Sequence, residues 1–210
     1  MEPMQIGIIG VLILSVVLHE VAHGYAANWL GDPTARLQGR LSINPLVHID
    51  PLMSVIVPGL LILSGSSFLF GAAKPVPYNP YNFTNQKWGE AIVAVAGPLA
   101  NVLLALIFAL LVHMAPFLNL TQTFVGFAAQ IVVLNLFLAF FNLVPIPPLD
   151  GSKILPKFLP STLRIQYEYF RRFLEQHIGL GFIVIILVFM YVLGGPLSIL
   201  THTVARLLLT

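Results

Sequence analysis

The run from Gln5 to Leu30 is apolar for long enough to cross a bilayer, yet it carries His19, Glu20, His23 and Asn28. About 20 apolar residues span the hydrocarbon core. An ionisable side chain placed there costs roughly 2.5–3.5 kcal/mol on insertion scales. Three within five residues need a compensating task, and metal binding supplies one. His19-Glu20-Val21-Ala22-His23 reads H-E-x-x-H. On a helix, residues i and i+4 stand about 400° apart, so both imidazoles share one face, about 6 Å apart along the axis. Ring-length side chains can close that span onto one ion. Glu20 is rotated by about 100°, so it flanks the ion without ligating it and can act as general base for a water. Chance would place about 0.004 such patterns in a chain of this composition, so coincidence is a poor account of it.

The rest of the chain repeats the apolar theme. Further runs cover Leu52 to Gly71, Ala91 to Ala115, Phe124 to Val144, Ile178 to Leu193 and Leu197 to Leu209. Charged residues are 9% of the chain, against about 25% in soluble domains. That excludes a soluble globule, and the hydrophobic fraction of 58% excludes disorder. The fold class expected is an all-α polytopic membrane protein, a helical bundle of about four to six membrane segments. The net charge is only +2, and the basic residues sit in connecting segments. They report membrane topology, not nucleic-acid binding. A cleaved signal peptide is the rival reading of the first run. It needs a positive n-region, whereas Glu2 is the one charge ahead of the run and Arg36 is the first basic residue.

The connections carry their own signals. Leu37, Gly39, Leu41 and Ile43 alternate with Arg36, Gln38, Arg40 and Ser42. Period two suggests a short strand or β-hairpin at the membrane surface, and a polar loop with a few anchoring leucines reads equally well. Pro58-Gly59 interrupts the second run, which therefore crosses once or re-enters as two half-helices. Residues 72–90 are rich in Pro and Asn and read as extended surface chain. Residues 152–177 hold Lys153, Lys157, Arg164, Arg171 and Arg172 among spaced apolar positions, the pattern of an amphipathic interfacial helix.

A catalytic zinc takes three protein ligands and keeps one position for water. With no cysteine in the chain, the third ligand must be His, Asp or Glu. His48, Asp50, His113, Asp150, His177, His202 and the remaining glutamates are the candidates. Asp150 stands out because it follows a long apolar helix and a proline-broken stretch, Asn142 to Gly151. Irregular backbone at membrane depth is tolerated where it lines a cavity. Asp50 is second, although an Asp before Pro is ordinary turn chemistry.

Three motifs in order resemble the site-2 protease family of intramembrane zinc metalloproteases: His19-Glu20-x-x-His23-Gly24, then Gly97-Pro98-Leu99-Ala100-Asn101, then Asn142-x-x-Pro145-x-Pro147-x-x-Asp150-Gly151. The resemblance implies one Zn²⁺ per chain held by His19, His23 and Asp150, with Glu20 as base. It implies that Asn142 lines the site and helps hold substrate or oxyanion, and that Asn101 supports helix packing beside it. It further implies a membrane-spanning protein or peptide substrate and a prokaryotic cell membrane. The chain is similar to the compact subgroup without PDZ or CBS domains, though the stretch 45–80 is long for a minimal core. One domain over residues 1–210 is expected, with core motifs in 19–151, the amphipathic linker at 152–177 and membrane segments in 178–210.

If His23 and Asp150 serve one ion, their helix ends lie at one depth and on one side. The basic segment after Asp150 makes that side cytoplasmic. An even number of crossings then separates Leu30 from Ala91, so Leu52 to Gly71 is expected to re-enter, bending at Pro58-Gly59. A metal-ion or proton-coupled transporter using the His/Asp cluster as a transit site is the alternative function. A proteolytically dead membrane adaptor is a further one, against which the intact motif argues. No G-x-S-x-G is present, which disfavours a serine hydrolase.

Overall fold

The computed structural model describes residues 3–51, 56, 63 and 73–210. These residues are helical where they are regular, and no strand occurs among them. The long helices are α1 (Pro3–Trp29), α3 (Gly89–Met114) and α4 (Gln122–Asn142). Between α1 and α3 lies the single turn α2 (Thr34–Leu37). After α4 come the short α5 (Gly151–Ile154), the amphipathic α6 (Ser161–Gln176), α7 (Ile178–Val188) and α8 (Gly194–Leu209). Among the described residues, four helical stretches are long and apolar enough to cross a membrane: Met4–Trp29, Gly89–Met114, Gln122–Asn142 and Gly179–Leu209.

Small residues bring these helices together. The buried face of α3 carries Ala91, Ala94, Gly97, Pro98, Asn101, Ala105 and Ala109, a stripe at helical spacing. Without large side chains in the way, α1 and α4 approach α3 closely, as membrane helices do in place of hydrophobic collapse. Ala105 and Ala109 pack with Val132 and Leu136 of α4 and Ala205 of α8. Local chemistry fixes the helix ends. Thr121 caps α4 through its hydroxyl, which accepts from the Phe124 N–H at 3.2 Å. Prolines 145, 147 and 148 prevent α4 from running on towards Asp150.

One sequence expectation is corrected. The alternation over residues 36–43 is not a β-hairpin. Residues 34–37 close one helical turn, and Gly39, at φ +65°, takes the left-handed conformation that ends it. The Arg40 N–H then returns to the Ala35 carbonyl at 2.9 Å. Ala35 is the residue this turn buries, while Leu37 and Ile43 stay exposed, so the alternation reflects no pleated face. Apolar length leaves open whether Leu197 to Leu209, short for a span, crosses by itself, and the structure answers at Gly194-Gly195-Pro196. The helix runs through it, by a π turn over Phe189–Leu193 in which the Gly194 N–H reaches the Phe189 carbonyl. A Cβ on residue 194 would stand 2.8 Å from that carbonyl oxygen, so glycine permits the wider turn. Pro196 follows directly, and its missing N–H leaves a gap in the backbone bonding beside the π turn.

Apart from residues 56 and 63, the stretch expected to re-enter, Leu52 to Gly71, lies outside the described residues. Its flanks are described, and they meet: the Lys74 N–H donates to the His48 carbonyl at 2.8 Å. The Thr84 N–H donates likewise to the Leu30 carbonyl at 2.8 Å, beside the start of α3. Cysteines substituted at 48 and 74 are therefore expected to label from the same side of the membrane; labelling from opposite sides contradicts this arrangement.

Candidate metal centre

Three helix-borne groups converge at the end of the bundle where α1 finishes and α3 begins. His19 and His23 project from α1, and Asp150 stands at the start of α5, on the chain that α4 returns. All three are buried. The His19 and His23 Nε2 atoms lie 3.0 Å apart. The Asp150 Oδ2 lies 3.1 Å from one and 3.2 Å from the other.

The protons at this cluster follow from what stands behind each ring. His19 Nδ1 lies 2.6 Å from Asn101 Oδ1, and His23 Nδ1 lies 2.7 Å from the Val93 carbonyl. Both partners are acceptors, so both Nδ1 atoms carry hydrogen, and in the neutral rings both Nε2 atoms present lone pairs. Two lone pairs and a carboxylate oxygen thus face one another within about 3 Å, an arrangement that repels unless a cation sits among them. Two tetrahedral ligands about 2.0–2.1 Å from zinc stand about 3.3 Å apart, close to the spacing seen. The group can therefore hold a metal ion by nitrogen and oxygen. Among the described residues it is the one His/Asp/Glu cluster whose donor atoms converge in this way.

α3 is shaped to admit the rings. A Cβ on Gly97 would lie 2.5 Å from His23 Nε2 and 2.6 Å from His19 Nε2, so only glycine leaves space for the donor atoms. Gly151 is constrained in the same sense, since a Cβ there would run into the Leu143 carbonyl. This keeps the turn that delivers Asp150 tight.

Glu20 lies beside the cluster and is partly exposed. Its Oε2 accepts from the Val76 N–H at 2.9 Å, so a strap of backbone at 74–76 lies over it. Buried Arg40 secures that strap, donating to the Val47, Lys74 and Pro75 carbonyls at 2.6, 2.7 and 3.3 Å. Asp32 secures the continuation, accepting from the Asn79 N–H at 2.6 Å, the Asn82 amide at 2.8 Å and the Thr34 hydroxyl at 2.6 Å. Burial opposes the Asp32 charge, but these donors outweigh it and hold the carboxyl below its usual range. Lys153 stands over the Tyr78 ring at 5.3 Å. Burial works against its charge, yet Tyr78, Asp150 and Glu20 together keep its ammonium above the usual lysine range.

The other sequence candidates lie elsewhere. His48 turns to the Ser42 carbonyl at 2.8 Å, and His113 to the Leu208 carbonyl at 2.9 Å. His177 and His202 bond the carbonyls one turn before them. Asn142, at the end of α4, donates its amide to the Leu138 carbonyl at 2.9 Å. Sequence reading missed Arg40, Asp32, Lys153 and Asn135. For Asn135 a signal existed: it is a polar residue inside a membrane helix, seven positions before Asn142.

A family model described as peptidase family M50 matches residues 117–188. The chain is 37% identical over 190 residues to "Putative zinc metalloprotease YwhC" of Bacillus subtilis (strain 168), covering 88% of this chain and 80% of that one. It is 33% identical over 165 residues to "Putative zinc metalloprotease Rip2" of Mycolicibacterium smegmatis, covering 72% of this chain and 57% of the relative. It is 25% identical over 179 residues to "Zinc metalloprotease MJ0392" of Methanocaldococcus jannaschii, covering 85% of this chain and 41% of the relative. No solved structure matches.

Proposed function

The chain belongs to the site-2 protease family, peptidase family M50, and from that premise we propose that it is a zinc metalloendopeptidase cutting membrane-spanning proteins at the site built on His19, His23 and Asp150. The observation that carries this reading is the convergence of two Nε2 lone pairs and one carboxylate oxygen within 3.0–3.2 Å. Zinc bound there would supply a Lewis acid for the scissile carbonyl and lower the pKa of a water towards about 7.

The chain's own residues do the rest. Asn101 and Val93 take the Nδ1 hydrogens of His19 and His23, so in the neutral rings Nε2 is the nitrogen left to face the metal. Glu20 is the general base: the Val76 N–H fixes one carboxylate oxygen, and the other takes a proton from the attacking water and delivers it to the leaving nitrogen. Asn142 donates to the substrate carbonyl, for which it must release Leu138. Lys153 adds positive charge beside the reacting groups. The whole chain is proposed to work as one membrane-embedded domain.

The site faces the cytoplasm of a prokaryotic cell on this reading. Arg36, Arg40, Lys74, Lys87, Lys153, Lys157, Arg164, Arg171 and Arg172 all belong to the segments at its end of the bundle, and Arg171 ties α6 to Glu90 of α3 at 2.9 Å. Arg206 lies near the other end of the bundle, where Leu208 meets His113. That asymmetry favours a cytoplasmic site.

The test is metal analysis joined to cleavage. The purified full chain in detergent is expected to carry about one zinc and to cut a model single-span substrate with a destabilised helix. A chelator should abolish cleavage and added zinc should restore it. Cleavage that survives complete metal removal would rule the mechanism out.

A further inference from the structure

Building on the proposed metal centre, we infer that Asn135 is a positioning residue that sets the tautomer of His19 by fixing the orientation of the Asn101 side chain. Asn135, Asn101 and Asp150 come from three different elements, and the first two are fully buried. The inference follows from a sequence of hydrogen bonds in which each step leaves one choice for the next.

Asn135 donates its Nδ2 to the Ile131 carbonyl of its own helix at 3.0 Å. Its Oδ1 therefore points out of α4 towards α3. There it accepts from Asn101 Nδ2 at 3.0 Å. The second amide hydrogen of Asn101 has the Ser15 carbonyl, at 3.4 Å. With its nitrogen held by two acceptors, Asn101 must turn Oδ1 to His19, 2.6 Å from Nδ1. An acceptor at that distance requires Nδ1–H, which in the neutral ring leaves Nε2 bare and aimed at His23 and Asp150.

Turning the Asn101 amide over would set its oxygen against the oxygens of both Asn135 and Ser15. An apolar side chain at 135 removes the nearer of those two, leaving only the weak contact at 3.4 Å. His19 would then be free to adopt the opposite tautomer, with Nε2–H donating to Asp150 Oδ2 3.1 Å away. A proton would compete for the position that the metal needs. Outer-shell partners of this kind are worth about 10–100-fold in metal affinity.

The experiment uses the full chain in detergent and reads two quantities. The first is the ¹⁵N imidazole spectrum of metal-free, histidine-labelled protein, with His19 assigned through loss of its signals in His19→Gln. The wild type should show His19 as the Nδ1–H tautomer, and Asn135→Leu should shift it towards Nε2–H. The second is zinc affinity by chelator competition. Asn135→Leu should bind about tenfold more weakly. Asn135→Asp should bind like wild type, because a carboxyl buried in an apolar bundle is neutral; it then donates to Ile131 and accepts from Asn101 as the amide does. In an Asn101→Asp background, where no amide remains to turn over, Asn135→Leu should cause no further loss. An unchanged His19 tautomer in Asn135→Leu overturns the inference. So does an equal loss of affinity in the Asn101→Asp background, which would mark a packing effect. A wild type that binds no zinc, with the tautomer shift still seen in Asn135→Leu, would remove the metal reading and leave the role of Asn135 standing.

Discussion

Glu20→Gln is expected to keep its zinc and lose cleavage by about 10²–10⁴-fold, the usual worth of a positioned general base. The two halves of that result have separate causes. Zinc stays because Glu20 is not among the converging donors, which belong to His19, His23 and Asp150. The local structure stays because a glutamine still offers an oxygen to the Val76 N–H that Glu20 now holds at 2.9 Å. What disappears is the group that can take a proton from water. Metal content per chain and single-turnover cleavage of a single-span reporter, measured on the same preparation, separate the effects. Cleavage within about tenfold of wild type would dismiss Glu20 as the base. A zinc-loaded wild type that cuts none of several helix-destabilised reporters would instead favour the transporter alternative, for which Glu20 has no base to supply, and metal flux in liposomes would decide it.

The strap over Glu20 gives this prediction a structural context. Its backbone is tied to Arg40 by two hydrogen bonds, through the Lys74 and Pro75 carbonyls, and continues into the loop that Asp32 gathers. Both anchors lie in the connection after α1, so the residues that follow the H-E-x-x-H helix fold back to cover its glutamate. On the proposed mechanism this cover orients the carboxylate and limits the approach of bulk water, which strengthens the electrostatics of the site.

How much of this was legible in the sequence depends on how far apart the cooperating residues lie. His19, Glu20 and His23 declare themselves because a helix repeats every 3.6 residues, and their geometry is set within one element. Asp150 is 131 positions from His19; its convergence rests on α4 returning the chain to the same end of the bundle, which the resemblance implied but periodicity does not encode. Asn135 and Arg40 act through partners 34 and more positions away, and nothing local marks those pairings. Among the described residues, three of the four membrane-capable helices were readable from apolar length alone, and the fourth, Gly179–Leu209, as two adjoining runs. The alternation at residues 36–43 misled because a one-turn helix ended by Gly39 leaves Leu37 and Ile43 exposed on a loop, and an alternating pattern has no meaning without a face to bury. At Gly194-Gly195-Pro196 apolar length could not decide how the two flanking runs join, because there a π turn takes up the wider backbone.

Gly97→Ala is expected to empty the metal centre while leaving the bundle folded. A methyl at that position would stand 2.5 Å from His23 Nε2 and Cε1 at 2.6 Å, with His19 Nε2 also at 2.6 Å. Neither ring can swing aside cheaply, because each is held from behind, His19 by Asn101 and His23 by the Val93 carbonyl. α3 cannot easily withdraw either, since Val93, Ala94 and Asn101 on the same helix are buried in the bundle. Overpacking of this sort costs about 1–3 kcal/mol and is relieved by displacing side chains. Here the atoms displaced are the donors, so the loss falls on metal affinity first. Zinc per chain should drop to background and cleavage of the single-span reporter should become undetectable, while the gel-filtration profile and helical circular dichroism stay those of wild type. Gly10→Ala is the control: a Cβ there meets nothing within 4 Å, and both zinc content and cleavage should be unchanged. A Gly97→Ala protein that retains a full zinc would show that the imidazoles do not meet the ion on the face of α3.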